Sequence, residues 1–422
     1  MNSLAAPPLV SFLDALVQFL GPSTLTEVIV NGLAKAAIFV MIAGGLTLIF
    51  GLMGVLNFAH GSLTMFGAYA GGLLLVLAVS EATGPVARVA YFFVAVVVVF
   101  GLLAALGGVV EVGLIRPLYD RPPIYQILLT FGLTLVLDEL ARITVGFYDI
   151  QPISDWQAAL GTKPAFLSSS FDLAAISVGG LSVLQLFGGG LLAAVVAGTF
   201  ARSDALERLR DGARENVRRL TPGGADSAVD PLTLATAGAA VAAFLVGVAG
   251  LALADLSEVT VNGLALFQIA FGVATVAVVW GFLTRTRYGL VVRAGSEDSE
   301  MTEALGIDVR RVFTTVFALG AGIAGVAGLL LAWDPTWGAS VPLAAETLLP
   351  AFVVVIIGGL GTFRGTVYAA LLVGLVDATM TWWFVNVVDF SGLPQMTVFL
   401  ILVLVLVVKP QGLFGVAEVG GH

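Results

Sequence analysis

RTRYGLVVRAGSEDSEMTEALGIDVRRV, residues 285–312, is a densely charged run inside a chain that is otherwise mostly hydrocarbon. It holds five arginines and five acids. An apolar run closes just before it, through Trp280 and Leu283, and another opens at Phe313, so the charged stretch reads as a loop at a membrane face. Its inner part, Glu297 to Leu305, has the pattern of a short amphipathic helix, with Met301, Ala304 and Leu305 on one side and acids on the other. Gly306 supplies a C-terminal stop. A protruding helix of this kind is a docking surface; composition alone reads equally well as a solvated loop.

Working outward, the 422 residues are 59% apolar and 11% charged, with a mean hydropathy of +1.03. No soluble domain of this length sustains such values, so the expected fold is an all-α polytopic transmembrane bundle of about 9–11 spans. Its 51 glycines suit helices packed backbone to backbone. The absence of cysteine excludes disulfides and thiolate metal sites, and two histidines cannot build a metal centre alone. The net charge of -9, with 16 arginines against three lysines, excludes nucleic acid as a partner. That acidity suits a high-salt environment, as in a halophile, while a codon bias equally explains the preference for Arg. The first 25 residues carry no Lys or Arg, which predicts no cleavable signal peptide and an N-terminus outside.

In chain order, residues 9–20 are too short to span and read as an interfacial helix. Spans follow at about 33–53, 62–80, 88–114 and 124–146, then a polar external segment from Asp149 to Asp172. Later spans are expected at about 264–283, 313–332, 346–360, 365–385 and 395–409. Between these sets, residues 182–260 carry two further expected spans around a charged helix and loop, Arg202 to Pro231, the helix stopping at Pro222-Gly223-Gly224. With the N-terminus out, the inner segments hold 15 of the 19 Lys and Arg residues, so the C-terminus is expected to be cytoplasmic.

Two places combine short apolar runs with glycine breaks: Phe50 to Gly72, containing Asn57, His60 and Gly61, and Ile357 to Gly365, containing Gly358, Gly359 and Gly361. Paired broken helices in two halves of a transporter point to a translocation path and to an inverted repeat, whereas glycines alone equally serve close packing. Asn57 and His60 are costly polar groups in hydrocarbon and either face a cavity or serve as helix-end partners. Asp377 lies within a span with no evident local partner and is a further cavity residue; Asp138, Glu139 and Arg142 are spaced to pair on one helix. Gly320, Ala324 and Gly328 form a helix-packing seam. No phosphate loop, zinc signature or nucleophile elbow is present, so the chain is not read as an enzyme and energy for transport must come from elsewhere.

Four stretches in order, Asn31–Gly61, the Thr284–Gly320 loop with its continuation, Ala351–Val376 and the tail Lys409–Gly415, resemble the permease subunits of branched-chain amino acid ABC importers. Urea permeases are similar to the same family. The resemblance covers roughly residues 26–180 and 260–415, and it implies that residues 182–260 are an insertion with two extra spans. It implies one transmembrane permease domain, 1–422, in the cytoplasmic membrane of a prokaryote, with a second homologous permease, two ABC ATPase subunits, an external substrate-binding protein and the lipid bilayer as partners. ATP and Mg would be bound by the ATPases, with no cofactor in this chain. The loop 284–312 would be gripped by the ATPases through Glu297, Glu300, Met301, Glu303, Ala304, Leu305 and Gly306. The implied cargo is a branched-chain amino acid. Urea or a short amide is the alternative cargo, and an ion-driven secondary transporter is the alternative class.

Overall fold

The structure, a computed structural model, describes residues 9–119, 121–144, 157–172, 177–178, 181–182, 260–297, 299–388, 394–409 and 411–414. The two spans and charged helix expected within 182–260 lie outside the described residues. In chain order the helices are α1 (Leu9–Phe19), α2 (Pro22–Met53), α3 (His60–Ala78), α4 (Pro85–Val110), α5 (Pro123–Arg142), α6 (Gln157–Gly161), α7 (Ala165–Ser168), α8 (Gly263–Arg285), α9 (Arg287–Glu297), α10 (Ser299–Ala304), α11 (Val309–Leu331), α12 (Leu343–Gly358), α13 (Phe363–Asn386) and α14 (Pro394–Val408). Among the described residues, seven helices are long and apolar enough to cross a membrane, and α12 and α14 are shorter apolar helices. The protein is therefore an all-helical, multi-pass membrane protein.

The chain divides into two compact units. The smaller comprises Leu16–Glu27 and Phe171–Val261, and its described part includes an antiparallel ladder of β2 (Ser177–Val178) with β3 (Leu181–Ser182). The larger comprises Met1–Ala15, Val28–Ser170 and Asn262–His422. Within the larger unit the Gly263 N–H donates to the Ser169 carbonyl at 3.1 Å, so its chain leaves and returns at adjacent points. β1 (Ser170–Asp172) pairs with β4 (Thr260–Asn262) at the same place.

The larger unit is built around α2, where every residue from Ala36 to Ile49 is buried. Its length exceeds the span expected from hydropathy, because the mixed residues 22–32 simply continue the helix from Pro22, and proline is tolerated in a first turn. α11 packs chiefly on α3 and α4, and the small-residue seam explains how closely. Gly328 lies on the α3 backbone at Thr64 and Ala68, Gly325 lies against Leu103, and Gly320 lies on Gly45 of α2. At the far end of α11, buried Trp333 stacks on Phe92 with ring centroids 4.3 Å apart and donates its indole N–H to Thr162 Oγ1 at 2.9 Å. Arg88 closes the same end by donating to the Gly161 carbonyl at 2.9 Å and the Thr83 carbonyl at 2.9 Å.

A side chain at Gly328 would have to displace the backbone of α3, because a Cβ there would stand 2.7 Å from the Ala68 nitrogen. Gly328→Val is therefore expected to destabilise the purified protein by about 1–3 kcal/mol, read as a lower midpoint of thermal unfolding in detergent. Gly101→Ala on α4, where a Cβ meets no atom within 4 Å, is expected to leave that midpoint unchanged or raise it.

Candidate functional site

The two broken segments meet. α2 stops at Met53 because Gly54 takes φ +64, and the chain runs without helix to His60. Asn57 folds this return: its Oδ1 accepts the Ala59 N–H at 3.1 Å, and its own carbonyl accepts the His60 N–H at 3.3 Å. α12 stops at Gly358, and Gly359 (φ +96) and Gly361 (φ +81) turn the chain into α13. Only glycine holds such angles without strain. Across the junction Gly51 lies on Gly361, whose carbonyl oxygen stands 2.9 Å from where a Gly51 Cβ would be. Thr47 Oγ1 and Thr366 Oγ1 are 2.7 Å apart, and because Thr366 donates to the Thr362 carbonyl, Thr47 is the donor of that pair. Phe58 and Phe352 close the contact with ring centroids 5.0 Å apart.

A broken helix leaves carbonyls without intrahelical donors. At the end of α12 the C-terminal tail supplies them. The Leu413 N–H donates to the Ile357 carbonyl at 2.7 Å and the Phe414 N–H to the Gly358 carbonyl at 3.2 Å. Gly412 (φ +76) permits this approach, since a Cβ there would lie 2.5 Å from the Ile356 oxygen. Phe414 then stacks on Tyr368 of α13 at 5.3 Å. The residues Lys409–Phe414 thus act as a cap for the second break. Their spacing gave no local sign of this.

At the first break the polar groups are not all satisfied. His60 is fully buried, and its Nε2 lies 3.0 Å from the Ile42 carbonyl, which can only accept. Nε2 is therefore the protonated nitrogen of the neutral ring, leaving Nδ1 an acceptor, and Nδ1 has no partner. The fully buried Asn57 also has an amide donor, Nδ2, without a partner. One open acceptor and one open donor thus sit within four residues of chain. Gly61, by contrast, is spent on packing against Ala344 and Leu348, and Gly358 on packing against Gly365.

Asp377 does not join this site. It lies on α13 more than three turns from Phe363 and, with no local partner in sequence, pairs with Lys35 of α2 at 2.5 Å. The partner was hidden because it lies 342 residues away in sequence. Gly32 and Gly374 bring the two helices together beside this pair. Asp138 accepts from Ser62 Oγ on α3 at 2.7 Å, a bond between helices, while Arg142 of its own helix also interacts electrostatically with it, as the spacing suggested. Among the described residues no group of His, Asp and Glu could hold a metal ion.

The charged loop is mostly helical. The helix expected from Glu297 to Leu305 is present as α10, Ser299–Ala304, which holds Glu300 and Ala304, and helix also runs ahead of it in α9, from Arg287 to Glu297. The stop at Gly306 is as expected. With φ +82, it lets its own N–H reach the Glu303 carbonyl at 2.9 Å and the Ile307 N–H reach the Thr302 carbonyl at 3.4 Å, the paired bonds of a Schellman ending. Met301 and Leu305 stand 59% and 74% exposed, so the apolar side of this turn is not consumed within the chain's own core, and Glu303 is exposed beside them. Nearby, a π turn (Glu111–Ile115) at the end of α4 buries Glu111, which accepts from Arg116 and Tyr119, while Arg116 also donates to Thr314 of α11 at 2.6 Å. Burial and the bond to Glu111 push the Tyr119 hydroxyl pKa up. Sequence reading missed this strut between the end of α4 and the second turn of α11.

A many-span helical bundle whose two broken helices face each other is the architecture of a transport permease. The chain belongs to the family described as branched-chain amino acid transport system / permease component, whose model matches residues 28–409. It is thus a permease component of an ABC transport system and not an enzyme. It is 24% identical over 398 residues to the high-affinity branched-chain amino acid transport system permease protein BraD of Pseudomonas aeruginosa, covering 93% of this chain and 96% of that protein. It is 22% identical over 398 residues to the corresponding protein LivH of Escherichia coli K12, covering 92% and 95%. A shorter match, 29% over 136 residues, is to the ribose import permease protein RbsC of Haemophilus influenzae, covering 31% of this chain and 41% of that protein. No solved structure matches.

The Lys35–Asp377 pair gives a direct test of its structural weight. Lys35→Met leaves a carboxylate only 10% exposed without its cation, and a loss of about 1–3 kcal/mol is expected, below the figure for full burial because the Lys35 side chain is 30% exposed. Lys35→Met combined with Asp377→Leu should recover most of the lost thermal stability.

Proposed function

We propose that the protein translocates branched-chain amino acids through the junction of the two broken segments, as the membrane subunit of an ABC importer. The observation that carries this reading is the similarity along nearly the whole length of permeases named for branched-chain amino acid transport. The open groups at the first break are consistent with it. A zwitterion offers a carboxylate to the Asn57 amide donor and an ammonium to His60 Nδ1. Gly359 and Gly361 would flex the second break as the path opens, while Gly61 and Gly358 keep the helices in register.

In this reading substrate arrives from an external binding protein, a second homologous permease completes the pore, and two ATPase subunits that bind ATP and Mg drive it. The ATPases would hold the segment 284–312, with Met301, Glu303, Leu305 and the Gly306 turn as the contact and Glu297, Glu300 and Ala304 at its edges. Closure of the ATPases would move α10 as a rigid lever, and its Schellman ending and the Arg116–Thr314 strut are what would transmit that motion to α11 and α4. The N-terminus would lie outside and the C-terminus in the cytoplasm, and residues 182–260 would be an insertion with two spans and an inner charged loop.

Uptake by the full complex in vesicles tests the cargo. Leucine and isoleucine should be carried and should compete with one another; uptake of urea or ribose without leucine competition would overturn the assignment. Asn57→Ala or His60→Ala should lower leucine uptake per folded complex roughly tenfold, the effect of losing one buried hydrogen-bond partner of a charged group, and each should also lower the thermal midpoint, because Asn57 Oδ1 holds the Ala59 N–H and His60 Nε2 the Ile42 carbonyl. Gly306→Pro cannot hold φ +82 and restricts Leu305, so it should abolish substrate-stimulated ATP hydrolysis while leaving membrane insertion intact. Normal coupling in that variant would contradict the proposed contact.

A further inference from the structure

α2, α4, α8 and α11 enclose a groove of about 460 Å³ that no part of the proposed transport path uses. Its floor is buried Met41 of α2, and its rim is formed by Phe93, Val97 and Val278, which are 49%, 71% and 71% exposed. Its single polar lining group is Thr275, whose hydroxyl donates to the Phe271 carbonyl at 2.9 Å and so offers nothing to a guest. The groove therefore accepts hydrocarbon and rejects water and polar solutes.

The lining of α8 recurs at Phe271, Thr275, Val278 and Phe282, one stripe of a helix, and the next position on that stripe is Arg285. Arg285 is exposed at the last turn of α8, Arg287 is exposed at the first turn of α9, and neither has an ion-pair or hydrogen-bond partner among the described residues. No acid occurs between Leu264 and Ser296 to neutralise them. The apolar stripe of α8 thus runs on to one unpaired cation, Arg285, with a second, Arg287, two residues further along the chain at the start of α9. A hydrocarbon chain gains little by moving from bilayer to slot, so the charged end decides which lipid stays.

We propose that this groove is a binding site for an anionic phospholipid, with one acyl chain between α4 and α8 and the headgroup phosphate on Arg285 and Arg287. The bound chain also touches α11 at Leu319, Ile323 and Val326, so it contacts both helices that flank the segment 286–308. This site is independent of what the permease carries.

The test is native mass spectrometry of the full-length protein after exchange into detergent containing either phosphatidylglycerol or phosphatidylcholine. Wild type should retain phosphatidylglycerol at one molecule per chain and retain phosphatidylcholine at least tenfold less. Arg285→Gln with Arg287→Gln, both at exposed positions, should remove this preference while thermal unfolding in lipid-free detergent stays as in wild type. Val278→Trp, placed on the rim to fill the slot, should lower retention of both lipids. Equal retention of the two lipids by wild type, or unchanged phosphatidylglycerol retention in the double arginine variant, would overturn the proposal.

Discussion

Hydrocarbon supplies no hydrogen bonds, so each place where a helix breaks inside this bundle must find donors and acceptors from the protein itself. The breaks after α2 and α12 solve the problem differently. At the second, the tail residues Leu413 and Phe414 bring their N–H groups to the Ile357 and Gly358 carbonyls, so the last two carbonyls of α12 are capped from a distant part of the chain. At the first, Asn57 satisfies the backbone of the turn with its own side-chain oxygen, and the unused halves of Asn57 and His60 remain open. The asymmetry separates a structural elbow from one with capacity for a polar guest.

Close packing makes the rest of the arrangement possible. Gly51 on Gly361, Gly32 beside Gly374, and the Gly320, Ala324 and Gly328 seam bring α2, α11 and α13 near enough for short side chains such as Thr47 and Thr366 to bond directly. Such contacts between helices depend on shape more than on hydrophobic transfer, because a lipid tail is as apolar as a leucine. They also leave one buried charge pair, Lys35 with Asp377, bridging α2 and α13 away from the breaks. The network at Glu111, Arg116, Tyr119 and Thr314 plays the corresponding part at the charged end of α4.

The helical class and most span positions were legible because apolar runs of about twenty residues admit few other readings, and the family was legible from four ordered motifs. The glycine breaks were also legible, as was the stop at Gly306, since local backbone geometry is written in single residues. What joins distant segments was not. Nothing near Asp377 names Lys35, nothing in KPQGLFG announces a cap for α12, and the spacing that showed Arg142 beside Asp138 did not show the bond from Ser62. In the charged loop the short helix before Gly306 was legible, whereas the helix from Arg287 to Glu297 ahead of it was not.

The central claim is that the first break lines the path of the substrate, and the cysteine-free sequence allows it to be tested with single introduced thiols. Asn57→Cys, in the complete complex in vesicles, should react with a small membrane-impermeant thiol reagent only while ATP is turned over, and leucine should slow that reaction. A thiol at residue 57 that stays unreactive through turnover, or that reacts at a rate indifferent to ATP and leucine, would contradict the account.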